Sequence, residues 1–404
     1  MQLPRVWAEI DLDALSDNLA AVRRVLGASV DVLGVVKADA YGHGAIPIAR
    51  VLEEHGVAML GVGDSHEAVQ LRQAGITTPI LVLGAVVDSE IPLLVEHQIT
   101  PSIHSPERVE VFERYARAIG ERIGLHLLID TGMSLLGVTP ARAIDYLARI
   151  AASPHLKLEG VGTHFASPSD PEFTARQLAR FERVVGGARR RGLELNRIHA
   201  ASSVVLGNGA QTYYDMVRVG GLLYGLSEPA DGSITPRPTL SLHSQVVHLR
   251  DVDAGTPVSY GGTFVTSRRT RLATLAVGYH DGYLHHLSNR AEVLIRGRRA
   301  PVVGRVTMDY TLVDVTDVPG AAVGDRVVLL GRDGDASITG RDLAAWASTI
   351  EYEIPSHLGP RVRRVYVRNG RSALQTESTL PSSREPVRRE SSQPILNASP
   401  GAPE

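Results

Sequence analysis

From the N-terminus to about Val219, short unbroken apolar runs alternate with longer stretches that mix apolar and polar positions. The runs fall at 33–36, 59–62, 80–83, 100–103, 125–129, 158–163, 197–200 and 216–219. Between them, apolar positions three and four apart predict helices over 12–26, 46–54, 66–73, 106–119, 140–151 and 173–190. A strand covered on both faces loses the in–out alternation of a half-exposed sheet, so this pattern predicts a parallel sheet wrapped in helices. Eight such runs predict a (β/α)8 barrel.

The pattern changes near Pro236. From Leu240 to about Val367 the apolar runs become closely spaced and separated by Gly and Pro turns, as in LSLHSQVVHL, RLATLAVGY, AEVLIRGRRAPVVGRV, LVDVTDV and DRVVLLG. This predicts a compact, mostly antiparallel β domain, interrupted by one helix over 341–348. The expected organisation is a barrel over 1–236, a β domain over 237–370 and a disordered tail over 371–404, rich in Ser, Pro, Arg and Glu. The extreme N-terminal strand is a candidate to pair with the β domain.

Composition narrows the function. The 404 residues suffice for two sizeable cores, and 43% hydrophobic with 21% charged residues is ordinary for a globular protein. A formal net charge of -2 gives no reason to expect nucleic acid or an anionic membrane as partner. With no cysteine, disulfides, thiolate metal sites and a thiol nucleophile are excluded. Neither a signal-peptide pattern nor an apolar stretch of about 18 residues is visible, so a cytoplasmic location is expected.

In a barrel of this kind the chemistry sits at the C-terminal ends of the strands. The first strand ends in Val35-Val36-Lys37-Ala38-Asp39-Ala40-Tyr41-Gly42-His43-Gly44. A lysine after four apolar strand residues suits an amine that must lose its proton and form a Schiff base, although an isolated lysine there would equally snorkel to water. The sixth strand ends in Thr163-His164-Phe165, the seventh leads into His199-Ala200-Ala201-Ser202-Ser203, and the eighth into Arg218-Val219-Gly220-Gly221. Loops after the seventh and eighth strands are the usual phosphate site of this fold, and glycine lets backbone N–H groups approach an anion. An amine for an aldehyde and a cradle for a phosphate thus share one mouth.

Taken together, VVKADAYGHG, Asp130–Met133 as DTGM, Thr163-His164-Phe165, the Arg218 to Gly225 segment, Val258-Ser259-Tyr260-Gly261, Val277-Gly278-Tyr279, the Val303 to Asp309 segment and Tyr352-Glu353-Ile354 resemble the alanine racemase family, in the same order over about residues 3 to 367. The resemblance implies a pyridoxal 5'-phosphate enzyme with an N-terminal barrel and a C-terminal β domain. It also implies head-to-tail homodimers that act on a small amino acid. It makes Lys37 the residue that holds the cofactor and the base on one face of the substrate, and Tyr260 of the partner subunit the base on the other. It sets Arg218 against the pyridine nitrogen and His164 beside the ring. Tyr41, Ser203, Gly220, Gly221 and Tyr352 become the phosphate set, Met308 supplies an N–H to the substrate carboxylate, and Tyr279 narrows the entrance.

Four positions depart from the family pattern. Leu128 stands where a lysine is usual, and Leu135 where that lysine positions an arginine. Ser202 replaces an asparagine, and His280 a small residue. Losing lysine and arginine together is physically coherent, because either buried charge without its partner would cost several kcal/mol. The readings left open beside alanine racemisation are a racemase for another amino acid, a related decarboxylase, and a cofactor-binding protein with little turnover.

Overall fold

The computed structural model describes residues 4–229 and 231–375. Its first strand, β1 (Val6–Asp11), precedes the barrel. The barrel strands are β2 (Asp31–Val35), β3 (Met59–Val62), β4 (Ile80–Val82), β5 (Thr100–Ile103), β6 (Ile123–Leu128), β7 (Leu156–Gly162), β8 (Ile198–His199) and β9 (Met216–Val219). All neighbours among them pair parallel, in the order β8-β7-β6-β5-β4-β3-β2-β9. A parallel bridge between Ser202 and Arg218 brings the two ends together. Each run expected as a barrel strand overlaps one of these, which is the (β/α)8 architecture read from the pattern.

Inside the barrel, Leu33, Val35, Met59, Leu81 and Met216 form a cluster of their own, while the outer faces of the strands pack on the helices. The Leu12–Leu26 helix shows how local chemistry sets the ends: Asp11 Oδ1 accepts from Ala14 N at 2.8 Å, and Gly27 leaves the helix at φ 74°. The short Ile91–Glu96 helix was not visible in the periodicity, because six residues give too little repeat to read.

The second domain contains β10 (Leu240–Val252), β11 (Pro257–Val258), β12 (Phe264–Val265), β13 (Thr270–Leu275), β14 (Glu292–Ile295), β15 (Arg298–Pro301), β16 (Thr311–Asp314), β17 (Arg326–Asp333), β18 (Ala336–Ile338), β19 (Arg363–Arg368) and β20 (Arg371–Gln375). Pairing is antiparallel throughout, with one exception. That exception is β1, which lies between β10 and β19, antiparallel to the first and parallel to the second, with Trp7 opposite both His243 and Arg363. The N-terminus therefore belongs to the last-made sheet. β20 pairs with β19, so the segment expected as a tail opens with a strand; the rest of it, from 376, lies outside the described residues. No helix among the described residues is long and apolar enough to cross a membrane.

Candidate active site at the barrel mouth

Lys37 follows the end of β2, with its side chain exposed at the mouth while Val35 and Val36 behind it are buried. The next four residues, Ala38, Asp39, Ala40 and Tyr41, all have φ between 52° and 54°. A left-handed turn of L-residues costs roughly 1–2 kcal/mol per residue, so it persists only where its surroundings hold it. Those surroundings are specific. Glu67 accepts from Ala38 N at 2.6 Å and Gly63 N at 2.7 Å, and Asp39 Oδ1 accepts from Ala45 N at 2.7 Å. From the β domain, Arg364 donates to Gly42 O at 3.2 Å. Gly42 and Gly44 are required here: at φ +79° and +95°, added Cβ atoms would lie 1.9 Å from Pro355 O and 1.8 Å from the Tyr366 hydroxyl. His43 is fully buried beneath the turn, and burial lowers its pKa to about 4.

The residues expected to hold a phosphate come from four segments. Gly220 N and Leu222 N both point at Ser203 Oγ, at 2.9 and 3.3 Å, so two backbone donors already converge on one oxygen. A Cβ on Gly220 would sit 2.6 Å from the Tyr41 hydroxyl, and one on Gly221 2.2 Å from the Tyr352 hydroxyl. The Tyr41 and Tyr352 rings lie 5.8 Å apart. Burial is the main cause that raises the pKa of both, which keeps both phenols as neutral donors.

Arg218 is the third component. It is 7% exposed, and its guanidinium donates from Nη1 to His199 Nδ1 at 2.6 Å. From Nη2 it reaches Thr163 O at 2.8 Å, Ala200 O at 2.9 Å and His164 Nδ1 at 3.0 Å. No carboxylate pairs with it among the described residues. Burial lowers its pKa to about 10, which still leaves a cation at neutral pH. His164 is lowered to about 3, first by desolvation from the protein around its ring, then by the Arg218 and Lys37 charges. It therefore stays neutral, and because Nδ1 accepts from Arg218 its proton falls on Nε2.

The structure thus brings Lys37, Tyr41, His164, Ser203, Arg218, Gly220, Gly221 and Tyr352 to one end of the barrel. Tyr260, Tyr279 and Met308 sit elsewhere, on the β domain, 72%, 43% and 52% exposed. Tyr279 N donates to Thr307 O at 2.9 Å and His280 N to Met308 O at 3.2 Å, which zips those two loops together. Ser259 Oγ donates to Arg305 O at 2.7 Å, which ties the Tyr260 turn to the same loop. Among the described residues, no hydrogen bond or ion pair joins these three to Lys37 or Arg218.

Three supporting residues carried no role in the sequence reading. Glu67 fixes the lysine turn, and His199 and His126 stand behind Arg218, with Nδ1 of His126 2.9 Å from Nε2 of His199. The available signal was the alternation along β7, where Gly160 and Gly162 leave inward space opposite these rings. Of the departures, Leu128 is half-buried, whereas Leu135 is 71% exposed and fills no core position.

Comparison with known proteins agrees with this geometry. The family model for the alanine racemase N-terminal domain matches residues 10–228, and that for the C-terminal domain matches 239–366. An alanine racemase of Halothermothrix orenii is 41% identical over 364 residues, 89% of this chain and 96% of that protein. The alanine racemase structure from Clostridium difficile superposes with a TM-score of 0.89 at 32% identity, covering 94% of this chain and 100% of that one. The structure from Bartonella henselae, which carries covalently bound pyridoxal phosphate, gives 0.82 at 28% identity over 90% of this chain and 100% of that one. Both halves of the chain and their order match, and the chain belongs to the alanine racemase family.

Proposed function

We propose that this chain interconverts L- and D-alanine as a homodimer, with pyridoxal 5'-phosphate held at Lys37 and two bases drawn from two subunits. The observation that carries the reading is Arg218, a buried guanidinium at the lysine's end of the barrel whose four acceptors are all neutral.

The residues fit that cofactor. Two N–H groups converge on the Ser203 oxygen and two glycines keep side chains out of a space edged by tyrosine hydroxyls, a donor set suited to a phosphate ester. Lys37 offers a primary amine to an aldehyde. When bound, pyridoxal phosphate supplies that aldehyde and an electron-withdrawing ring that acidifies the substrate α-carbon.

The protein's own groups then divide the work. Lys37 Nζ takes or returns the α-proton on one face, and the partner's Tyr260 hydroxyl does so on the other; inversion needs a base on each side. Arg218 has only N–H donors and cannot hand a proton to a ring nitrogen, so it favours an unprotonated pyridine. With the cofactor held there, Arg218 would leave less charge drawn into the ring, and proton return to the α-carbon would be favoured over proton transfer elsewhere. His164 accepts from Arg218 through Nδ1, leaving Nε2–H to donate to the oxygen of the partner's Tyr260 and hold it as a base. Met308 N–H and Tyr279, exposed on loops tied to the Tyr260 turn, bind the carboxylate and limit side-chain size.

The deciding experiment incubates purified chain and pyridoxal phosphate with single L-amino acids and measures each D-enantiomer by chiral separation. D-Alanine should lead the panel. A different leading amino acid would reassign the substrate, and no D-enantiomer at all would overturn the racemase reading.

A further inference from the structure

We infer that His126 is a positioning residue for Arg218, acting through His199 by deciding which ring nitrogen of His199 carries its proton. The role of Arg218 rests on the function proposed above; the arrangement of the three side chains does not.

The proton positions follow from donor inventory. A guanidinium has N–H donors and no acceptor, so the His199 Nδ1 that lies 2.6 Å from Arg218 must present a lone pair. His199 then carries its single proton on Nε2. That nitrogen lies 2.9 Å from Nδ1 of His126, which must accept, and the proton of His126 falls on its own Nε2. The chain of bonds ends there, for His126 Nε2 has no partner among the described residues. His126 and His199 are both 0% exposed. Burial, with Arg218 and Arg197 around His126 and with Arg218, His126 and His164 around His199, disfavours a charge on either ring.

The backbone makes room for this pair. Gly160 and Gly162 of β7 stand in register with His126 and His199. A Cβ at those two positions would come within 2.4 Å of the His126 ring and 2.2 Å of the His199 ring. The inner face of β7 is emptied of side chains where the two imidazoles pass.

The consequence is directional. With the other tautomer, His199 would aim an N–H at the Arg218 N–H, and two donors cannot share a bond. Arg218 would keep only the acceptors of Nη2 and would rotate. His126 removes that alternative by giving His199 Nε2–H an acceptor at 2.9 Å.

The test compares His126→Leu with His126→Gln, whose amide oxygen can replace the lost acceptor, in the full-length chain loaded with pyridoxal phosphate. 15N-labelled histidine reports the His199 tautomer, with the signal assigned by its loss in His199→Asn. Wild type should show neutral Nε2–H at His199, His126→Leu should shift the signal toward Nδ1–H or an average, and His126→Gln should restore it. With the tautomer, kcat should fall roughly 5- to 150-fold in His126→Leu, the scale of one orphaned buried donor, with KM changed by less than about twofold. His126→Gln should recover most of the loss, and the fraction of turnovers diverted to transamination should track the tautomer. The inference is overturned if wild-type His199 carries Nδ1–H, if His126→Leu leaves the tautomer unchanged, or if both variants lose kcat equally. Should His126→Leu fail to fold, the wild-type and His126→Gln spectra still decide. Absence of racemase activity would sink the proposed function, while the tautomer measurement would stand by itself.

Discussion

The hydroxyl of Tyr366, in β19, donates to the carbonyl oxygen of His43 at 3.0 Å, so one of the last strands of the chain grips the left-handed turn behind Lys37. That bond helps to hold a conformation the turn would not choose alone. Tyr366→Phe should cost about 1 kcal/mol of stability and weaken retention of pyridoxal phosphate about fivefold. Thermal melts and an absorbance titration with the cofactor check both; an unchanged affinity would show that the turn does not depend on this contact.

Lys37→Ala should abolish covalent attachment. Borohydride reduction of wild type loaded with pyridoxal phosphate should fix one cofactor per chain on the peptide containing Lys37. Equal labelling of Lys37→Ala would move the attachment site elsewhere.

Tyr260 and Lys37 lie in different domains of one chain, with no hydrogen bond or ion pair joining them among the described residues, which predicts that each functional site draws on two chains. Mixtures of inactive Lys37→Ala and Tyr260→Phe chains should regain up to one working site per heterodimer. If labelled subunits exchange and activity stays at background, shared sites are wrong.

The family resemblance sets Leu128 and Leu135 at positions where a coupled lysine and arginine are expected. A charge-assisted hydrogen bond is worth about 1.5–3 kcal/mol, so alanine turnover should be roughly 10- to 150-fold below that of a relative with the pair, unless another group replaces it. Leu135→Arg alone should help little, and Leu128→Lys with Leu135→Arg should exceed the sum of the single changes in a double-mutant cycle. Full activity in the unaltered protein would refute the idea that the substrate carboxylate misses this arginine.

Acid should destabilise the fold through its buried neutral histidines. His126 and His43 are fully buried and lowered to about 3 and about 4 from an ordinary 6.5. Unfolded chain therefore takes up protons that native chain refuses, and stability falls as pH drops below about 6.5, levelling only near the native values. Each group contributes a slope approaching about 1.4 kcal/mol per pH unit within that window. Melting temperature against pH should decline there, and His126→Gln should make the decline shallower; a flat profile between about pH 6.5 and 4 would contradict the assignment.

The barrel was legible because its strands are covered on both sides and read as plain apolar runs such as that before Lys37. The strand ends followed, and with them Lys37, His164, Arg218 and the two glycines. The handedness of the turn from Ala38 to Tyr41 was not legible, since it is imposed by Glu67, Arg364 and Tyr366 from distant segments rather than by local propensity. The partners of Arg218 stayed hidden for a similar reason. His126 lies among apolar residues on β6, and only strand register reveals that it meets His199. Pairing of the N-terminal strand with the β domain was expected, but neither residue type nor spacing could say that β1 would lie between β10 and β19.

That placement of β1 has a consequence for how the chain is made. Trp7 pairs with Arg363, so the first strand to leave the ribosome must wait for nearly the whole remaining sequence before its parallel neighbour exists. Contacts of such long sequence separation form late and slowly, because the intervening chain must be closed into a loop first. Nascent chains held on the ribosome before Arg363 emerges should expose residues 6–11 to protease even when the barrel is already protected. The order of synthesis thus makes the ten-stranded sheet that β1 joins the last part of the described fold to close.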